Sequence, residues 1–271
     1  MEDRASRYYT QRTLYSFDRY SAFEATSRDF GRYVVMNQIQ LYYSDAQETL
    51  KDCERVIKRW CMLEHRNLPE TIDAWTEEKR LVFVWLVPQG VTLGALIQSQ
   101  HSFDEGLVFD IAFQIASVMR YLHQNDQYQG VLTPNSFTLA RDKWVTLICG
   151  NLPQQINRIF EKAESGFDQA QDLKKIKRQD ITAWGVIVGS LLTSDPYFVD
   201  KLIKNRELET ETFSIRKFNP RVTAEFESAI IKSLQTVHNP QKGFADYEQL
   251  CADLAQISKD YISFRTHKES M

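Results

Sequence analysis

The sequence predicts an α+β chain in two parts, a small lobe of antiparallel strands with one helix and a larger, mainly helical lobe. Three observations predict it. Through the first third of the chain, β-branched and aromatic strings alternate with turn signals. Pro88-Gln89-Gly90 then breaks the pattern. Beyond it, apolar residues recur at three- and four-residue steps over long stretches, the spacing of one helix face. The expected organisation is one domain over residues 1–271, with the small lobe at about 1–87, a connector at 88–91 and the large lobe at 92–271.

The first clear strand is Arg32-Tyr33-Val34-Val35-Met36-Asn37-Gln38-Ile39, entered through the turn signal Asp29-Phe30-Gly31. Between residues 46 and 63, Leu50, Cys53, Ile57, Trp60 and Cys61 mark one face of a helix. Thr71-Ile72-Asp73-Ala74-Trp75, the charged Glu77-Glu78-Lys79-Arg80 and residues 81–87 read as strand, tight turn, strand. Residues 104–123 align Leu107, Ile111, Ile115, Val118, Met119 and Leu122 on one face, with Asp104 placed to cap it. A second hairpin joins Phe137-Thr138-Leu139 to Trp144-Val145-Thr146-Leu147-Ile148 around Arg141-Asp142-Lys143. Helices are predicted over 180–192, 223–234 and 247–257, and there is no internal repeat.

Composition excludes several classes. With 43% hydrophobic and 25% charged residues in 271, the chain can bury an ordinary globular core. A net charge of −3 exerts no global pull on nucleic acid, and no nucleic-acid partner is expected. Cys53, Cys61, Cys149 and Cys251 lack Cys-x-x-Cys spacing, which argues against a zinc site or disulfide framework and suits a reducing compartment. Residues 1–15 lack the apolar core of a signal peptide, and no apolar run approaches membrane-spanning length. A soluble cytoplasmic protein is the expectation.

Three strings, in order and sensibly spaced, resemble the eukaryotic-type (Hanks-type) Ser/Thr protein kinases over about residues 15–257. The most specific is Asp180-Ile181-Thr182-Ala183-Trp184-Gly185, continuing to Leu191-Leu192-Thr193-Ser194-Asp195-Pro196-Tyr197-Phe198. It resembles the D-x-x-x-x-G central helix of the family and its "L-L-T-G-x-x-P-F" ending. Tyr121-Leu122-His123 resembles the end of the helix that leads into the catalytic loop. Residues 218–222 through 250–254 resemble the last two helices. The phrasing resembles bacterial members, cyanobacterial ones above all. The resemblance implies a bilobal protein-kinase-like fold, with Asp180 and Gly185 as structural positions.

The positions that would carry kinase chemistry depart from the pattern. Phosphoryl transfer rests on positioning and charge neutralisation by a few named groups. The stretch resembling the glycine-rich loop, residues 17–25, has no glycine, and its Asp18 and Glu24 would repel phosphate. Asn37 stands where V-A-I-K has its lysine. The helix glutamate that pairs with that lysine falls near Glu54 or Val56, with the register open. Gln129-Gly130-Val131-Leu132-Thr133-Pro134-Asn135-Ser136 aligns with H-R-D-L-x-P-x-N. There Val131 replaces the catalytic aspartate, Thr133 the lysine and Ser136 the magnesium-binding asparagine, and valine is no base at any pH. Cys149-Gly150-Asn151 aligns with D-F-G, and a thiol is a poor magnesium ligand. Residues 151–179 lack the usual ending of an activation segment.

The resemblance, with these departures, implies a catalytically inactive pseudokinase, a regulatory or scaffolding module with no cofactor. Its partner would be a protein, an active kinase or another enzyme. ATP binding is disfavoured. The alternative is an atypical ATP-binding transferase or a nucleotide-sensing kinase-like protein. A solvated strand position is the simpler expectation for Asn37, and a small buried hydrophobe for Cys149. His65, His101, His123, His238 and His267 are dispersed, and His123 is expected to pack at its helix end. Trp85 and Leu86 are placed at the connector, filling an empty cleft. Tyr8, Tyr9, Tyr15, Phe17 and Tyr20 are expected to pack onto the small lobe. Lys174, Lys175, Lys177 and Arg178 form the densest basic run. It is expected to be a solvated loop, with docking to an acidic partner or anionic lipid surface as the functional alternative.

Overall fold

The computed structural model describes residues 4–17, 19–42, 47–77, 79–99, 103–148, 155, 159–160, 169–195, 198 and 214–268, leaving aside the side chains of 5, 15, 17, 169–172 and 260–268. The chain divides into two compact units, Met1–Gln89 with Gly150–Asp168, and Gly90–Cys149 with Gln169–Met271.

In the smaller unit the described residues include a five-stranded antiparallel sheet in the order β1-β2-β3-β5-β4 and a helix of 15 residues. Its strands are β1 (Tyr8–Phe17), β2 (Tyr20–Ser27), β3 (Tyr33–Gln40), β4 (Thr71–Glu77) and β5 (Arg80–Leu86). The β2–β3 hairpin closes where the Gly31 N–H donates to the Ser27 carbonyl at 2.8 Å, with Gly31 at φ +61°. That left-handed conformation is why the turn signal needs its glycine.

Register sorts the side chains by face, because successive residues of a strand point to opposite sides. Tyr8, Ala25, Val34, Met36, Val82 and Val84 form a buried cluster, flanked by Phe23, Ile72, Trp75 and Leu86. Tyr8 stacks on Trp75 with centroids 5.8 Å apart and donates its hydroxyl to Asp73 Oδ2 at 3.1 Å. Burial, reinforced by the Asp73 charge, pushes the Tyr8 phenol up to about 12. Helix α1 (Gln47–Cys61) buries Thr49, Cys53, Ile57 and Trp60, close to the predicted stripe.

Of the aromatic residues near the N-terminus, Tyr8 and Tyr20 pack inward while Tyr9 is exposed. The side chains of Tyr15 and Phe17 lie outside the described residues. Trp85 and Leu86 are not connector residues but the last two of β5, and Trp85 packs against Phe83 with centroids 5.2 Å apart.

The larger unit carries a three-stranded antiparallel sheet of β6 (Val91–Thr92), β7 (Phe137–Leu139) and β8 (Val145–Leu147). Its described helices are α2 (Leu93–Gln98), α3 (Glu105–Gln124), α4 (Gln169–Thr193), α5 (Ala224–His238) and α6 (Tyr247–Lys268). Asp104 caps α3, accepting from the Leu107 N–H at 3.0 Å. Helix α3 buries Val108, Phe109, Ile111, Ala112, Ile115, Ala116, Val118, Met119 and Leu122, a band wider than one stripe, as suits a central helix. The Trp184 indole of α4 donates to the Ala112 carbonyl of α3 at 2.8 Å.

Helix α4 begins at Gln169, eleven residues before the predicted start at Asp180. The basic run is therefore helical, not a loop. Residues 169–179 are mostly Gln, Lys, Leu, Ala and Arg, which favour helix, but only Leu173 and Ile176 mark an apolar face beyond Ala170, so periodicity is faint there. Among the described residues, no helix is long and apolar enough to cross a membrane.

Candidate functional site

Within the larger unit, the chain leaves α3 through Asn125 and Asp126, the latter at φ +56°, and runs into residues 127–136. Asp180, on α4, holds this loop. Its side chain is 0% exposed. Its Oδ2 accepts the Gln129 N–H at 2.9 Å and its Oδ1 the Gly130 N–H at 2.6 Å. Gly130 has φ +76°, a conformation that costs glycine little. His123 Nε2 lies 2.9 Å from Asp180 Oδ2, so the carboxylate gathers three polar partners that would otherwise be orphaned in the core.

Two tyrosines complete the cluster. Tyr247, at the start of α6, donates its hydroxyl to the Asp180 carbonyl at 2.7 Å. Burial, with the Asp180 charge adding to it, holds the Tyr247 phenol well above its ordinary range. The His123 ring meets Tyr128 and Tyr247 edge-on at 5.0 and 4.8 Å. Tyr128 donates to Asp126 Oδ1 at 2.8 Å and carries the Lys177 ammonium over its ring at 4.7 Å. His123 thus packs at its helix end as expected. The Tyr247 bond spans 67 residues and had no local signal.

The positions singled out in the loop do other things. Val131 is 67% exposed, an apolar side chain offered to solvent. Leu132 is buried. Ser136 is buried too, and its Oγ accepts the Thr133 N–H at 3.1 Å while the Ser136 carbonyl accepts from Ile148 N at 2.9 Å. The hydroxyl at 136 is engaged in holding the turn closed. Cys149, Gly150 and Asn151 lie outside the described residues.

In the smaller unit, Asn37 sits mid-strand on β3, opposite Ala22 of β2 and Phe83 of β5. It is 0% exposed, where a solvated strand position was expected. The reason is a diagonal partner on the neighbouring strand: the Tyr20 hydroxyl donates to Asn37 Oδ1 at 2.5 Å. Asn37 Nδ2 is directed at the Val35 and Phe83 carbonyls, both at 3.4 Å. These partners all belong to the sheet. Glu54 and Val56 are both on α1, beside the Cys53–Ile57 stripe, and neither is among these partners of Asn37.

The β1–β2 turn is a tight hairpin with Phe17 paired to Tyr20. Arg19, in that turn, has its guanidinium over the Tyr42 ring at 4.3 Å and the Phe160 ring at 4.0 Å. Glu24 is ion-paired with Arg12 across the hairpin at 2.5 Å, and Asp18 lies outside the described residues.

Of the basic run, Lys174 and Lys175 are exposed while Lys177 and Arg178 are half-buried. Gly185 has a different duty. A Cβ there would overlap Ser233 Oγ of α5, so the two helices meet at a contact only glycine allows. Among the described residues, no group of three or more His, Cys, Asp or Glu is placed to hold a metal.

The chain matches no protein-family profile. It is 23% identical over 235 residues to the serine/threonine-protein kinase PrkC of Bacillus subtilis, covering 82% of this chain but only 36% of that protein. Among solved structures it is similar to the Mycobacterium tuberculosis PknI kinase domain, with a TM-score of 0.61, 14% identity, and coverage of 93% of this chain and 96% of that one. A point mutant of the same domain superposes with a TM-score of 0.62 at 14% identity, covering 93% and 95% of the two chains.

Proposed function

We propose that this chain, which has the Hanks-type protein-kinase fold, is a pseudokinase that works in the cytoplasm as a regulatory or scaffolding module for a protein partner, an active kinase or another enzyme. One observation carries the reading. Asn37 stands where the resemblance calls for the lysine that neutralises phosphates. It is neutral, fully buried, and bonded within its own sheet to the Tyr20 hydroxyl and facing strand carbonyls. A triphosphate with its metal needs cationic and carboxylate anchors, and the side chains at Asn37, Val131, Thr133 and Ser136 do not fit that requirement.

Two further features support it. The turn where a glycine-rich loop would approach phosphate is a tight hairpin whose Arg19 lies against two aromatic rings. The stretch that would end the activation segment is helical from Gln169, so basic helix stands where an extended peptide-docking platform would be. Lys174, Lys175, Lys177 and Arg178 on that helix are the surface we assign to an acidic region of the partner.

Three measurements on the purified chain test this. We expect no transfer of radiolabelled phosphate to generic protein substrates or to itself. Thermal melting with ATP, with and without magnesium or manganese, is expected to leave the midpoint unmoved. Crosslinking and pull-down from native cells should enrich one protein reproducibly, and Lys174→Glu with Lys175→Glu should weaken that capture. A saturable rise of several degrees with ATP would instead indicate a nucleotide-using transferase.

A further inference from the structure

The β2–β3 hairpin ends in a tip that has no part in that function. Its residues are Arg28, Asp29, Phe30, Gly31 and Arg32, followed by Tyr33, the first residue of β3. Phe30 is 63% exposed, at the outermost point of a turn closed by the Ser27–Arg32 and Gly31–Ser27 backbone bonds. Tyr33 and, on β1, Tyr9 are 60% and 62% exposed. Both pair with Thr26 of β2, so they share one face in a single row across three strands. With strands about 4.8 Å apart, the two rings stand roughly 10 Å from each other behind the tip. Single exposed apolar residues need no explanation, but three aromatic rings at one end of one sheet do.

The charges at the tip are sorted. Its one carboxylate, Asp29, is ion-paired with Arg7, which bonds it through both Nε and Nη2. Arg7 also reaches Asp73 at 3.3 Å. Arg28 and Arg32 are exposed, and neither takes part in an ion pair among the described residues. The tip therefore presents two uncompensated guanidinium groups astride a protruding phenyl ring, on a chain whose net charge is −3.

We propose that this hairpin tip docks on an anionic lipid surface. Phe30 would enter the interfacial region, Arg28 and Arg32 would pair with headgroup phosphates, and Tyr9 and Tyr33 would lie at headgroup level, where amphipathic rings are favoured. Shape decides for a bilayer over an acidic peptide. A convex tip with a projecting ring has no groove to receive a peptide, whereas a lipid interface accepts a protruding apolar group without a matching cavity. The net negative charge of the whole chain opposes approach at low salt and long range. The local attraction therefore acts within about a Debye length, ~8 Å at physiological salt. With two cations and one inserted ring the contact is weak and reversible.

The test is co-sedimentation of the intact chain with vesicles of neutral phosphatidylcholine, and with the same lipid containing about one third phosphatidylglycerol. The wild type is expected to sediment with the anionic vesicles only, and less as salt rises. Arg28→Gln and Arg32→Gln should each lower partitioning about fivefold, from the ordinary contribution of one basic residue near such a surface. Phe30→Ser should lower it several-fold while leaving the salt dependence intact. All three side chains are exposed, so melting midpoints should match the wild type. Equal binding to neutral vesicles, no binding at all, or variants that bind like the wild type would each overturn the proposal. Retention of the wild type on a polyglutamate resin, lost in the same variants while vesicles are ignored, would assign the tip to an acidic protein and overturn it as well.

Discussion

Asp180 carries more structure per atom than its neighbours in the loop it holds. It accepts two backbone N–H groups and meets a histidine nitrogen with no access to water. Removing it as Asp180→Ala leaves those groups buried and unpaired, and we expect a loss of about 3 kcal/mol or more in urea unfolding. Asp180→Asn should recover only part of that, because an amide offers one oxygen and turns a donor toward a donor. The position of this residue was legible from its D-x-x-x-x-G setting, and so was the packing of His123. Asn37 was legible as a departure from a lysine pattern but not as a buried group. Its burial depends on Tyr20, 17 residues away on another strand, and no local pattern announces a cross-strand bond.

At the level of elements, Gly185 sets how closely α4 and α5 approach. A methyl group there would meet Ser233 Oγ and crowd the Ile230 carbonyl and Ser233 Cβ, both at 3.2 Å. Gly185→Ala should therefore destabilise by about 1–3 kcal/mol, as overpacking does. Adding Ser233→Ala removes the first obstacle, so the double variant should melt above Gly185→Ala alone, a coupling that a mutant cycle measures. Most elements were readable because their residues are locally distinctive: the apolar positions of α3, the β-branched and aromatic strings of β4 and β5 around a charged turn, and the Asp104 cap all match. Misses came where the period is weak. The first turns of α4 carry few apolar residues, and α2 is six residues long, too short for a stripe to repeat. Strands β1 and β2 interleave polar and small residues with their aromatic ones, which blurs alternation.

For the whole molecule, the groups held protonated by burial predict how stability responds to alkali. Burial raises the Cys251 thiol from 9.0 to about 11, and burial with the Asp73 charge raises the Tyr8 phenol from 10.0 to about 12. Each group keeps its proton more tightly folded than unfolded. The stabilisation is therefore complete below the unfolded value and is lost as pH climbs through the folded one. The melting midpoint should begin to fall above about pH 9 as the Cys251 thiol contributes, with the half-buried Cys61 thiol adding in the same direction. It should keep falling toward about pH 12 through the Tyr8 phenol, with Tyr247 adding beyond it. Cys251→Ala should flatten the first part of that decline and Tyr8→Phe the second, since the two residues lie in different units.

Helix α4, about 37 Å of uninterrupted rod, has a consequence for the stretch it touches. Lys177 and Asp180 stand three residues apart and so point the same way. One rests on the ring of Tyr128 and the other grips the amides just after it. A splint fastened at two neighbouring points lets the limb neither slide nor pivot. Residues 128–130 can change shape only by giving up the carboxylate or the ammonium, so a molecule that draws Lys177 off the ring would undo one of the two fastenings.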